Sequence, residues 1–453
     1  MDKKTFGKYL AAGHGRCYDE VRNDPARYRK EITELCLNDT SFDMQCEGSR
    51  ALYAYDLVML YDDISPFVKK TVKAFLTADN DDDSSQFRHL CDLVCLFAYE
   101  SGDDTAVKAV KKKYSELHGM LMTRRFSTIL HRVANNYEYL AIHLLTSDKW
   151  ELAEMIARDL GAWFIRRRKT DAEDLHWEFL WLWHEMNDVF GKDAVQEHFA
   201  PLCRTSREIK RFIDVMSLPE TKPDRTPRPS PDADTVIKAV TDGSVKTTYD
   251  MIKLGFMRMD EDDRKKLAEA VINEEDERRK ALMLGVFRTR FMKWPCSDGK
   301  LIEYAEAGDE DLRLSAVIAL TYIKGDGIRE YALRKLSEDD SDHREQYVEM
   351  LINNCCADDT AVITGILENT VIDPDAEPGW HGIVLDILNA DNDNLPDALY
   401  MWIYENSICS CCRCNAAEKL IKRGTFPEEC MRECLHDCNT DTRELVTGTP
   451  DRG

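Results

Sequence analysis

Apolar positions recur at steps of three and four residues through most of the chain, the period of an amphipathic helix. Asp311–Lys324 (DLRLSAVIALTYIK) places Leu312, Ala316, Ala319, Leu320 and Ile323 on one face. Gly325 and Gly327 stop that helix, and Ile328–Leu336 opens another. Phe87–Glu100 (FRHLCDLVCLFAYE) and Lys149–Gly161 (KWELAEMIARDLG) repeat the pattern nearer the N-terminus. Sustained period-two alternation is missing, so the chain reads as all-α. One stretch breaks the rhythm. Ser217–Thr235 (SLPETKPDRTPRPSPDADT) holds five prolines in 19 residues and almost nothing apolar. Proline fixes φ and removes a backbone donor, so no helix runs through it. The expected organisation is a helical domain over 1–216, a proline-rich linker over 217–235 and a second helical domain over 236–453.

The second domain carries a repeat. Its helices align on Arg278, Arg313, Arg344, His381, Arg413 and Arg443, at intervals of 35, 31, 37, 32 and 30 residues. Four of these follow an aspartate by two residues: Asp276, Asp311, Asp342 and Asp441. Apolar or small residues follow at plus three and plus seven, as in Ala316 and Leu320 or Tyr347 and Leu351. Helix pairs of this period cannot bury their apolar faces alone and must stack. The aspartate is placed to cap the second helix of each pair. The arginine is placed to reach the aspartate of the next, giving a ladder. His381 and Arg413 lack the preceding aspartate, so the ladder is interrupted there.

DEDLRLSAVIALTYIKGDGIREYALRKL and CCRCNAAEKLIKRGTFPEECMRECL resemble HEAT or armadillo-type repeats over residues 244–447. The resemblance implies an α-solenoid of stacked helix pairs whose inner helices line a concave surface. The solenoid is regular in the C-terminal half. In the N-terminal half Arg50, Tyr53, Ala54 and Leu57 fall in the same phase without a clean period, which suggests a degenerate continuation.

Composition narrows the function. Sixty-one basic against 84 acidic residues leave a net charge of −23. Such a surface repels phosphate backbones and anionic membranes, so neither a nucleic-acid nor a membrane partner is expected. The segment MDKKTFGKYLAAGHGRC has no apolar core of signal-peptide length, and the longest apolar run, Leu93–Tyr99, is too short to span a bilayer. Sixteen scattered cysteines then suit a reducing cytoplasm.

Four segments carry candidate chemistry. In Gly13-His14-Gly15-Arg16, glycines allow close approach to a ligand and His14 titrates near neutrality; an ordinary interhelical turn explains the motif equally well. Asp43, Glu47 and Arg50 fall at four- and three-residue spacing, which suits either a binding site or an internal ion-pair network. Cys411 and Cys414 have metal-ligand spacing, but Cys430, Cys434 and Cys438 step by four along one helix face, so the cluster reads as packed thiols without metal. Trp177–His184 is apolar nearly all round and reads as a buried helix, with a stacking platform as the sharper alternative. The basic run Arg166–Lys169 before it reads as a solvated loop. No nucleotide, hydrolase or metalloprotease motif is present, and no cofactor is expected.

The reading favours a cytoplasmic scaffold that binds a protein or peptide on the concave face of the solenoid, and not an enzyme. The alternative is a ligand-binding or enzymatic N-terminal domain using His14, Arg16, Asp43, Glu47 and Arg50. Neither partner identity nor oligomeric state is encoded visibly. Limited proteolysis is expected to cut first within Ser217–Thr235, where apolar anchors are few. First cuts inside Asp311–Leu336 would overturn that boundary.

Overall fold

The computed structural model describes residues 1–80, 85–123, 128–145, 149–167, 172–219, 232–256, 258–338, 343–369, 379–390 and 392–447. Among them the fold is all-α, with 28 α-helices, two short 3-10 turns and no strand. No helix of the described residues is long and apolar enough to cross a membrane. Residues 220–231 of the proline-rich segment, the anchor Asp342 and the basic residues Arg168 and Lys169 lie outside the described set.

The chain divides into two compact units. The first joins Met1–Lys222 with Ser407–Cys414 and Phe426–Gly453; the second joins Pro223–Asn406 with Asn415–Thr425. Segments assigned from sequence to the C-terminal domain therefore belong to the same unit as the N-terminal helices.

In the first unit, helices Ser65–Thr77, Ser85–Tyr99, Asp104–Thr123 and Thr128–Leu145 pack in succession. Helix Trp150–Arg166 lies chiefly on Arg207–Met216. The amphipathic spacing explains the packing: Ala153, Ile156, Ala157, Leu160 and Phe164 form one buried stripe of Trp150–Arg166. Local signals set the helix starts. Asp2 accepts bonds from Lys4 N and Thr5 N, and Asp24 caps a helix that opens on Pro25.

Two helix pairs stand out in the second unit. Asp298–Ala305 packs on Glu310–Thr321, and Asp326–Ser337 packs on Arg344–Asn353. The second helices also pack in series: Glu277–Leu284 on Glu310–Thr321, that helix on Arg344–Asn353, and that one on Gly379–Asn389. Asp276 caps Glu277–Leu284. In the next pair the cap is Asp309, not Asp311, and in the first unit Asn439, not Asp441, accepts from Thr442 N. Arg278 is exposed and Arg313 half-buried, and neither has an ion-pair partner among the described residues. Asparagines supply the recurring link instead. Asn353 Nδ2 donates to Thr321 O at 2.6 Å, Asn354 Nδ2 to Ile323 O at 3.3 Å, and Asn392 Nδ2 to Ile352 O at 2.9 Å. Each satisfies a carbonyl left open at or just past the end of the preceding second helix.

The strongest ion pair of the anchor series is at Arg413, in the first unit. Its side chain is 0% exposed and donates to Asp437 Oδ1 and Oδ2 at 3.1 and 3.2 Å and to Ser407 O at 3.1 Å. Arg443, half-buried, reaches Asp56 at 2.8 Å and donates from Nε to Asp437 O at 2.5 Å. Removing one partner of a buried pair strands the other charge. Arg413→Ala is therefore expected to lose about 3–5 kcal/mol in denaturant unfolding, and Arg313→Ala no more than about 1 kcal/mol. Equal losses would show that Arg313 has a comparable buried partner.

Candidate functional site

The five N-terminal candidates, His14, Arg16, Asp43, Glu47 and Arg50, gather where the first helices meet the segments Ser407–Cys414 and Phe426–Gly453. Helix Lys3–Ala12 ends on Gly13 in the left-handed region, φ 72°. A side chain at Gly13 would run into Cys438, and one at Gly15 into the backbone carbonyl of Glu433. Cys438 N donates to Gly13 O at 2.9 Å. The glycines thus admit the chain's own C-terminal segment. His14 is buried, and its Nδ1 lies 3.4 Å from Arg16 N. Its carbonyl accepts from the Tyr53 hydroxyl at 2.9 Å. Arg16 donates to Glu433 Oε2 at 3.0 Å and lies over the Tyr9 ring.

Glu47 and Arg50 are the centre of this junction, with side chains 1% and 2% exposed. Arg50 donates to Ala11 O, to Ile408 O at 2.8 Å and to both Glu47 oxygens at 3.3–3.4 Å. Glu47 accepts from Phe42 N at 2.6 Å, from Asp43 N at 3.2 Å and from Ser410 N. Asp43 stays exposed, accepting from Gln45 N. The terminal nitrogens of Arg50 and the carboxylate of Glu47 are spent on backbone, on Thr40 and on the pair itself, while Arg50 Nε is buried without a partner among the described residues. The cluster holds three chain segments together.

All sixteen cysteines are free thiols. Cys430 and Cys434 are buried on helix Glu428–Cys434, but that helix ends there, and Cys438 lies beyond it against the Gly13 turn. The expected three-cysteine stripe is therefore two residues long. Cys409 and Cys412 are both buried and hydrogen-bonded to each other at the start of helix Ser410–Arg423. The Cys412 thiol and the backbone amides of Cys412 and Cys411 pull Cys409 down to about 7. No group of three or more His, Cys, Asp or Glu among the described residues is placed to hold a metal ion.

Sequence motifs gave no hint of the open groove in the second unit. It has a volume of about 420 Å³ and spans three consecutive second helices and the loop after Glu277–Leu284. Arg290 and Lys293 sit on the loop, Tyr322 follows Glu310–Thr321, Glu349 lies on Arg344–Asn353 and Asp386 on Gly379–Asn389. Neither carboxylate has an ion-pair partner among the described residues. Burial and the neighbouring Asp386 push Glu349 up to about 8. Burial and Glu345 push Asp386 up to about 7. Both acids interrupt apolar runs, Tyr347-Val348-Glu349-Met350-Leu351 and Val384-Leu385-Asp386-Ile387-Leu388. That interruption was the available signal, and no local spacing rule attaches to residues 37 apart.

The sign of the resulting pH dependence follows from protons held. Below the unfolded values near 4, both states carry these protons and nothing is lost. Above them the folded state alone retains them, so their contribution to stability falls as pH rises through about 7 and 8. The double variant Glu349→Gln, Asp386→Asn is expected to lose less melting temperature than wild type between about pH 5.5 and about pH 8.5. Parallel curves would show that the two carboxyls titrate normally. No known protein family, curated protein or solved structure matches this chain, and its functional reading rests on this geometry.

Proposed function

We propose that this chain is an interaction scaffold, with a helical-repeat second unit of HEAT or armadillo type that binds a protein segment along the groove at Glu349 and Asp386. The carrying observation is that the groove draws its lining from successive second helices. A segment lying across it would touch several pairs at once, as the concave face of a repeat array allows. Serial packing of the second helices and the recurring asparagine links support the repeat reading.

Chemistry at the groove supports binding over catalysis. Acids lie on the two later helices and the bases Arg290 and Lys293 on the loop, so an extended segment with charges of both signs is complementary. The enzymatic alternative is weakened because His14, Arg16, Glu47 and Arg50 are engaged internally. A cytoplasmic setting is supported by sixteen free thiols, which a reducing compartment preserves.

Affinity capture from native lysate, read by mass spectrometry, tests the proposal. The tagged full chain is expected to retain a defined protein that Glu349→Arg, Asp386→Arg loses and Arg313→Ala keeps. Identical capture by all three chains would sink the reading.

A further inference from the structure

The tryptophan-rich segment does not form the buried helix that its pattern predicts. It breaks into Ala172–Glu178 and Leu180–Phe190 at Phe179, whose φ of −134° and ψ of 30° are not helical. Phe179 is fully buried, edge-on to Trp163 at 5.5 Å and to Tyr137 at 6.3 Å. Glu138 accepts from Leu182 N at 3.0 Å and so caps the new helix. The break leaves Trp177 52% and Trp181 77% exposed, both lining a groove of about 470 Å³. Each indole carries a large apolar area, and two together on a monomer surface mark a recognition site.

The rest of the lining selects the guest. Tyr139 forms part of the wall, with Glu138 and Glu178 as its carboxylates. Glu178 is held by His131 at 3.0 Å. Glu138 has backbone donors but no ion-pair partner among the described residues. Arg88, the one cation among the described residues of this lining, turns its guanidinium onto the Tyr139 ring at 5.4 Å; its charge acts on Glu138 from a distance, but it makes no ion pair among the described residues. This wall therefore already holds a cation by its aromatic face. A nucleotide is disfavoured, because its phosphates would meet two carboxylates in a chain of net charge −23.

We propose that the Trp177–Trp181 groove is a second recognition site, separate from the Glu349–Asp386 groove, and that it captures a lysine side chain of a protein partner. The ammonium lies against the indole faces and beside Glu138, and its aliphatic stem covers exposed ring surface. Burial pushes Glu138 up to about 7, so an ammonium also stabilises the charged carboxylate that the groove otherwise disfavours.

The test uses the full-length chain and a fluorescent hexalysine peptide, read by anisotropy. Hexalysine is expected to bind, and its fully acetylated form to lose at least about tenfold in affinity. Trp181→Ala, which removes a largely exposed ring and no charge, is expected to cost about tenfold with an unchanged melting temperature. Glu138→Gln keeps a cap acceptor and is expected to weaken hexalysine alone. Glu261→Gln, which removes an exposed acid outside both grooves, is expected to bind like wild type. Binding undiminished in Trp181→Ala would assign the affinity to diffuse charge and overturn the site. Equal binding of acetylated and free peptide, or no effect of Glu138→Gln, would overturn the choice of a cation. If Glu138→Gln lowers the melting temperature, Trp177→Ala with hexalysine decides in the same way.

Discussion

The buried pairing of Arg50 with Glu47, and of Arg413 with Asp437, is the constraint on which the first unit depends. Four charges sit at 0–2% exposure. Withdrawing them from water is tolerable only because nearly every donor and acceptor is met. Arg50 is the shared element. One guanidinium satisfies Ala11 O at the end of one helix, Ile408 O in the returning segment and the carboxylate of Glu47. Glu47 in turn caps the opening of Ser410–Arg423 through Ser410 N. Charge thus ties together residues nearly 400 positions apart, and the Gly13–Gly15 turn supplies the room. A packed apolar junction would have allowed sliding; fixed hydrogen-bond directions do not.

The same junction explains what was legible in the sequence. Helix content was, because periodicity is local: Asp311–Lys324 and Glu310–Thr321 differ only at their ends. The residue set His14, Arg16, Glu47 and Arg50 was also legible as unusual polar density. Its meaning was not, because the partners Ile408, Ser410 and Glu433 lie far along the chain and no local spacing announces them. Gly13 and Gly15 look alike whether they admit a ligand or a backbone. By its sequence Arg413 is a place where the ladder is interrupted, for want of a preceding aspartate. Its aspartate comes 24 residues later instead.

The tryptophan segment failed for a different reason. Its apolar pattern is compatible with a continuous buried helix, and the break comes from tertiary demand. Phe179 fills a core pocket lined by Trp163, Phe164 and Tyr137. Meeting that pocket and the Glu138 cap requires a change of direction, which rotates Trp177 and Trp181 away from the core. Packing overrides helix propensity because a buried aromatic is worth more than one uninterrupted turn.

Glu138, Glu349 and Asp386 share a physical origin. Each is a carboxyl partly buried without an ion pair among the described residues, and burial pushes each towards neutrality. Structural acids in this chain are treated differently: Glu47, Asp437 and Asp359 all face an arginine. A fold able to supply Arg50, Arg413 and Arg329 to its internal acids leaves these three beside open grooves. A partner that brings a cation into contact with such a carboxyl gains from both the ion pair and the restored ionisation.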